Sequence, residues 1–347
     1  MQHIEVGVLG ATGMVGQQFA LQLAAHPWFS LTWLAASERS EGRRYRDAAP
    51  WRLPVQIPAD LAGRDVQPCI PGRGPRVVFS ALDASVAGDI EAAFAAAGHI
   101  VVSNARNFRM DPVVPLLVPE VNPDHLGLTA RQCASRGWKG AIVTNPNCST
   151  VFLAMVLAAL RAFEPRAVVV ATMQAVSGAG YPGVASLDIL GNVVPFIGGE
   201  EEKMESETKK ILGRVGAAGV EPHAVAISAH TNRVPVINGR TEAISVGFGV
   251  RPPHEEVRAA LERFAGRPQE LRLPTAPAKA IEYLDEQNRP QPRLDVDRGA
   301  GMTVTVGRLR PCAVLDYKLV ALGHNTVRGA AGAAVLNAEL MHAEGRL

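Results

Sequence analysis

The run Ile4-Glu5-Val6-Gly7-Val8-Leu9-Gly10-Ala11-Thr12-Gly13-Met14-Val15-Gly16 decides the fold of this chain. An apolar strand pattern leads straight into glycines spaced G-x-x-G-x-x-G, and a helical pattern follows from Val15 to Ala25. Glycines at such a turn let the chain bend tightly and bring backbone N–H groups up to a pyrophosphate at the helix N-terminus. A glycine trio alone is a weak signal. Behind the first strand of an alternating strand–helix pattern it points to a nucleotide, with Gly10, Thr12, Gly13, Met14 and Val15 as the loop residues that meet it.

The alternation continues outward from this loop. Leu31 to Ala36 reads as a second strand, and Val77 to Ser80 and Ile100 to Ser103 as two more around an alanine-rich helix at Asp89 to Ala97. Ala141 to Thr144 is a further strand, followed by an apolar helix from Val151 to Leu160. Continuous apolar strands alternating with helices imply a parallel sheet covered on both faces. Beyond that helix the style changes. Ala167 to Gln174, Thr241 to Val250, Met302 to Arg310 and Asp316 to Leu322 are β-rich, interrupted by helices at Glu200 to Leu212 and Pro253 to Phe264. This predicts an antiparallel or mixed sheet with helices on one face. Arg272 to Arg293 reads as an ordered surface loop, and Thr326 to Ala343 as a final helix that returns to the first domain. The fold class is therefore α/β: a Rossmann-type domain over residues 1–147 and 326–347, and an α+β catalytic and oligomerisation domain over 148–325.

Bulk properties bound the function. The chain has 347 residues, enough for two cores. A net charge of +2 gives no strong attraction to nucleic acid or to a membrane surface. Its longest apolar helix pattern, Val151 to Leu160, is about half the ~20 residues of a membrane span. The cysteines Cys69, Cys133, Cys148 and Cys312 form no C-x-x-C pair, which speaks against a zinc site or disulfide scaffold and for a reducing compartment, the cytoplasm.

Cys148 is the chemical centre. Asn145-Pro146-Asn147 precedes it and Ser149-Thr150 follows, between the apolar strand and the apolar helix. A cysteine near a helix N-terminus is expected to favour the thiolate. A buried core cysteine is the plain alternative, but Asn-Pro-Asn and Ser-Thr make a poor core wall. After the second strand come Ser37, Glu38, Arg39 and Ser40. Hydroxyls and an arginine suit a 2′-phosphate, so NADP is favoured over NAD, although Glu38 stands nearly where an acid would meet a bare 2′-hydroxyl.

With these residues in hand, the chain resembles the aspartate-β-semialdehyde dehydrogenase family, of its archaeal and fungal-like branch. The resemblance runs from Val6 to Leu340. It is carried by the glycine loop, by Ser103-Asn104-Ala105-Arg106-Asn107-Phe108-Arg109-Met110 and by Asn145 to Thr150. Further matches are Gln174 to Gly183, Gly198 to Lys203, Asn232 to Val236 and His324 to Gly332. The resemblance implies a glyceraldehyde-3-phosphate dehydrogenase-like arrangement, a homodimer or homotetramer, and NADPH-dependent reduction of L-aspartyl-4-phosphate. It also implies residue roles. Cys148 would form a thioester, Gln174 orient the acyl group, and Asn147 help an oxyanion. Arg109 and Lys203 would meet the phosphate, Arg233 the α-carboxylate and Glu200 the α-ammonium. Ser80, Ser177, Gly178 and Asn325 would join the cofactor site.

One position departs from that pattern. The family's catalytic histidine is expected seven residues after Arg233, and Arg240 stands there. Arginine stays protonated and cannot take a proton. Three readings are open: the same reaction with Arg240 supporting the thiolate, a paralogue for a related acyl substrate such as malonyl-CoA or a modified aspartate, or a weakly active nucleotide-binding homologue. His230 and His324 are the nearest spare bases, and a structural role suits both.

Overall fold

A computed structural model describes residues 3–347. The first sheet holds six strands in the order β3-β2-β1-β4-β5-β6, all parallel. They are β1 (Ile4–Leu9), β2 (Phe29–Ala36), β3 (Gln67–Pro68), β4 (Val77–Ser80), β5 (Ile100–Ser103) and β6 (Ala141–Thr144). Strand order reverses between β1 and β4, where Leu9 lies beside Ser80. Open parallel sheets leave a crevice at such a switch point. The glycine loop leaves β1 there, with Gly10 at a φ of +75°. A methyl group on Gly16 would meet the Gly10 carbonyl oxygen at 2.2 Å, so only glycine lets helix Met14–Leu23 start this close to the loop.

The second large sheet is mixed, in the order β10-β7-β11-β14-β13-β12. Its strands are β7 (Pro165–Gln174), β10 (Ala226–Arg233), β11 (Arg240–Phe248), β12 (Ile281–Leu284), β13 (Val304–Pro311) and β14 (Tyr317–Gly323). A small hairpin, β8 (Arg214–Val215) with β9 (Val220–Glu221), lies apart. Helix Cys148–Ala159 is buried from Ser149 to Leu157 and packs with Val168, Val170, Ile244, Val246 and Leu319 of this sheet in one core. An apolar surface on all sides requires that a helix be enclosed.

Several sequence expectations are corrected. Arg272–Arg293 is not all loop, because Ile281–Leu284 forms edge strand β12 beside β13. Strand β10, absent from the sequence reading, has a single large apolar residue, Ile227, and gains its place by pairing with β7. The alanine-rich helix starts at Ala84, five residues before Asp89, because Asp83 caps it by accepting from the Ser85 amide. The final helix is interrupted. Val327–Ala331 is a π turn, and the α-helix proper is Gly332–Ala343. That helix lays Ala334, Val335 and Ala338 against Phe19, Ala20 and Leu23 of the first core.

The close approach at Gly16 generates a test. Gly16→Ala should destabilise the protein by about 1–3 kcal/mol, because backbone and not a flexible side chain blocks the new methyl. A denaturant titration should show a lower midpoint at unchanged slope.

Candidate active site

Three strands bring one row of side chains to the rim of the second sheet. In register, Arg233 of β10 pairs with Gln174 of β7, Gln174 with Arg240 of β11, and Arg240 with Gly323 of β14. Period-2 alternation points Thr231, Arg233, Thr172, Gln174, Arg240 and Glu242 inward, and all are buried. The mouth of helix Cys148–Ala159 stands over this row. Gln174 Nε2 donates to Ser149 Oγ at 3.1 Å, which ties the sheet to the residue after Cys148.

Cys148 is the first residue of its helix, and Asn147 caps it by accepting from the Ser149 amide at 3.0 Å. Cys148 as a whole residue is half-buried. Gly329 abuts it: a methyl there would come within 2.5 Å of the Cys148 Cβ. The π turn therefore sets the start of the last helix directly against the cysteine.

The expected bias toward thiolate is corrected by burial. Burial pushes the Cys148 thiol above its ordinary pKa; the positive charge of Arg240 pulls it down, Glu200 pushes it up and Arg109 pulls it down. The helix end alone does not activate this sulfur, and Arg240 is its main support. Arg240 and Arg233 also face each other. A methyl on Gly178 would lie 2.5 Å from Arg240 Nη2 and 3.1 Å from Arg233 Nη1, so the glycine leaves room for both guanidinium groups. Arg233 Nη1 donates to the Ala175 carbonyl at 2.7 Å.

Helix Glu200–Leu212 supplies the acidic side. Glu200 accepts from Asn147 Nδ2 at 2.9 and 2.8 Å and from Lys203 Nζ at 3.1 Å. Burial works against its charge, but Arg240, Lys203 and Asn147 together hold its carboxyl below the usual range. The Asn147 side chain is thus engaged with Glu200 and the helix cap.

Two further residues of this helix were missed by the sequence reading. Glu207 accepts from Arg109 Nη1 at 3.0 Å and from the Asn147 amide at 2.6 Å, joining the arginine loop to the cysteine turn. Lys210 donates to the carbonyls of Arg109, Asp111 and Val114 at 2.6, 2.7 and 2.8 Å. Both lie on the face of Glu200 and Lys203, at helical spacings of seven and ten residues from Glu200, and that spacing was the available signal.

Neither spare histidine serves the sulfur. His230 is exposed on the outward face of β10, because alternation sends it away from Arg233. His324 is buried, and its Nδ1 accepts from the amides of Thr326 and Val327 at 3.3 Å each.

The first sheet offers the nucleotide crevice. Gly13 opens helix Met14–Leu23 with no capping side chain, which leaves the N–H groups of the first turn available. A cavity of 490 Å³ beside it is lined by Ser37, Glu38, Arg39, Cys69, Leu82 and Ile90, among others. Ser40 is buried instead, its amide donating to the Ser37 carbonyl. Ser80 is buried at the end of β4 with a free hydroxyl. Asn325 ties together two loops at the rim of the second sheet: its Nδ2 donates to Ser177 Oγ at 2.8 Å, and its Oδ1 accepts from the Gly239 amide at 2.8 Å. Among the described residues, no cluster of side chains is arranged to hold a metal ion, and no helix is long and apolar enough to cross a membrane.

A dinucleotide-type sheet joined to a mixed sheet, with a cysteine helix between them, defines a two-domain dehydrogenase. The family models "Semialdehyde dehydrogenase, NAD binding domain" and "Semialdehyde dehydrogenase, dimerisation domain" match residues 5–129 and 157–328. The chain belongs to the aspartate-semialdehyde dehydrogenase family. It is 51% identical over 337 residues to the aspartate-semialdehyde dehydrogenase of Archaeoglobus fulgidus, covering 97% of each chain. It is 50% identical to that of Cryptococcus neoformans, covering 97% of this chain and 96% of the relative. The Candida albicans aspartate semialdehyde dehydrogenase, solved with NADP, superposes with a TM-score of 0.92 at 45% identity over the whole of both chains.

The geometry makes one expectation about the sulfur. Arg240→Met removes the main charge supporting a thiolate, so the pH at which Cys148 is half alkylated should rise, and alkylation at pH 7 should slow. Thiol titration of the variant across pH, with Cys148→Ser to subtract the other cysteines, reads this directly.

Proposed function

We propose that this protein catalyses the reversible, NADPH-dependent reductive dephosphorylation of L-aspartyl-4-phosphate to L-aspartate 4-semialdehyde. The carrying observation is the mutual proximity of Cys148, Gln174, Arg233, Arg240, Arg109 and Glu200, in a chain about half identical to aspartate-semialdehyde dehydrogenases. An amino-acid acyl phosphate needs cations for two anionic ends and an anion for its ammonium. Arg233 suits the α-carboxylate and Glu200 the α-ammonium. Arg109, with Lys203, suits the phosphate.

Cys148 attacks the acyl carbon and holds it as a thioester while phosphate leaves. Gln174, tied to Ser149, orients the acyl group. Arg240 steadies the thiolate before attack and the oxyanion afterwards. It occupies the position where the resemblance puts a histidine, so this site carries a fixed charge in place of a titrating base. Intact cysteine, glutamine and arginines favour this reading over a non-catalytic homologue. The crevice fits a nicotinamide dinucleotide: the uncapped helix start suits its pyrophosphate, and Ser37 and Arg39 on the cavity wall suit a 2′-phosphate, hence NADP. When bound, the cofactor supplies a hydride to the thioester carbon. Gly10, Thr12, Gly13, Met14, Val15, Ser80, Ser177, Gly178 and Asn325 are the further residues assigned to its site.

We divide the chain at the packing boundary, with 1–147 and 326–347 holding the cofactor and 148–325 the chemistry and assembly. The outer face of the second sheet carries exposed Val169 and Met173, an apolar surface suited to a second copy, and a homodimer is the smallest assembly that covers it. Four free cysteines suit a reducing compartment such as the cytoplasm.

The direct test is NADPH formation from L-aspartate 4-semialdehyde, inorganic phosphate and NADP. Activity in the wild type, abolished by Cys148→Ser, is expected; no turnover with NADP binding intact would overturn the reading. Arg240→His should add a pH limb near ~6.5, where a histidine titrates, that the wild-type pH–rate profile lacks.

A further inference from the structure

Asn145 opens the turn that leads into Cys148, and none of the roles above uses it. Its side chain is buried and fully engaged. Nδ2 donates to Asn104 Oδ1 at 2.9 Å and to the Ala330 carbonyl at 3.0 Å, and Oδ1 accepts from Asn337 Nδ2 at 2.6 Å. The Ala330 carbonyl can only accept, so it fixes which edge of each amide faces which. Each partner belongs to a different part of the site. The Asn104 carbonyl accepts from Arg109 Nη2 at 2.8 Å. Ala330 lies in the π turn that sets Gly329 against Cys148, and Asn337 stands on the final helix.

The π turn is the joint between the two halves of the chain. Behind it, helix Gly332–Ala343 packs on Phe19, Ala20 and Leu23 of helix Met14–Leu23, the helix that the glycine loop opens. Ahead of it, Asn325 is tied to Ser177 and Gly239. Within it, the Gly329 and Ala331 amides donate five residues back, to the carbonyls of His324 and Thr326 at 2.9 and 3.1 Å. Such wide turns are rare and occur mostly as single turns at functional sites. Arg328 pins the turn from the other side: its Nη2 donates to Glu120 Oε2 at 2.6 Å and to Met155 Sδ, on the cysteine helix, at 3.1 Å.

We propose that Asn145 is a positioning residue, whose side-chain amide sets the separation between Cys148 and the half of the chain that carries the nucleotide crevice. Without that amide, the Ala330 carbonyl, Asn104 Oδ1 and Asn337 Nδ2 lose a buried partner together. The π turn is then released from the cysteine turn, while Arg328 still holds it to Glu120. The Asn145 backbone amide keeps its bond to the Ser103 carbonyl at 2.7 Å, so the end of β6 survives removal of the side chain. Hydride transfer to the carbon held by Cys148, which rests on the function proposed above, is the step most sensitive to such a release, because a displacement of ~1 Å costs about 10²-fold in rate. The brace itself rests only on the contacts.

Hydrogen exchange of the full-length protein, read by mass spectrometry, tests the brace without substrate. In Asn145→Ala, exchange should accelerate in the peptides covering 104–109 and 326–334, with β7 unchanged. Wild-type exchange at 326–334, or acceleration spread equally over β7, overturns the proposal. Where Asn145→Ala does not fold, Asn337→Ala cuts the same tie from the final helix, and wild-type exchange at 326–334 in that variant overturns it instead. With L-aspartate 4-semialdehyde, phosphate and NADP, Asn145→Ala should lower kcat about 10²-fold. KM for the aldehyde should keep its wild-type value, because Arg233 and Glu200 stand outside the tie. Deuterium on the aldehyde carbon should then slow the variant more than it slows the wild type. A smaller amount of folded protein would lower the rate but leave that isotope effect at its wild-type value, and this result also overturns the proposal. A wild type that turns over no aspartate semialdehyde counts against the enzyme assignment alone, because exchange needs no substrate.

Discussion

The electrostatic pull of the Arg240 guanidinium on the Cys148 sulfur is the constraint on which the site depends. Burial alone would keep the thiol protonated, and Arg240, with a smaller contribution from Arg109, opposes it. The fold must therefore hold a strand end and a helix start in fixed relation. It does so with two independent ties: Gln174 reaches up to Ser149, and the absence of a side chain at Gly329 lets the last helix press against the cysteine. The apolar helix behind Cys148 is anchored in the second core, so the sulfur's position is set by packing and not by a loop.

Helix Glu200–Leu212 supports the same point from the other side. Its inward charges act in sequence: Glu200 holds Asn147 and Lys203, Glu207 bridges Arg109 to the Asn147 amide, and Lys210 gathers three carbonyls of the Arg109 loop. One helix thus fixes both the cap of the cysteine helix and the loop carrying Arg109. This explains why so many buried charges are tolerated here. Each is met by an opposite charge or a hydrogen-bonding group, and unpaired burial would be costly.

Much of this was legible locally. The glycine loop, the parallel strands and the cysteine turn all declare themselves through short spacings, because each depends on neighbours in the chain. Strand β10 was not legible, because its buried face (Ile227, Ala229, Thr231, Arg233) holds one large apolar residue and its partner β7 lies over fifty residues away. The break at Val327–Ala331 was hidden for a related reason: the composition is helical throughout, and only contact with Cys148 explains the π turn. Glu207 and Lys210 fell on a recognisable helical face, yet nothing local told a buried face from a solvated one.

The amino-acid order by itself determined that a nucleotide-type sheet comes first, that a mixed sheet follows, and that Cys148 opens a helix between them. It also determined that a permanent cation, Arg240, stands in the second sheet. Tertiary structure decided what those residues mean to one another. Register across β10, β7, β11 and β14 aligned Arg233, Gln174 and Arg240, alternation turned His230 outward, and enclosure raised the thiol and left Glu242 without a partner. The physical reason is that spacing along the chain fixes which face a side chain takes, whereas desolvation and charge pairing depend on what packs against that face from far away in sequence.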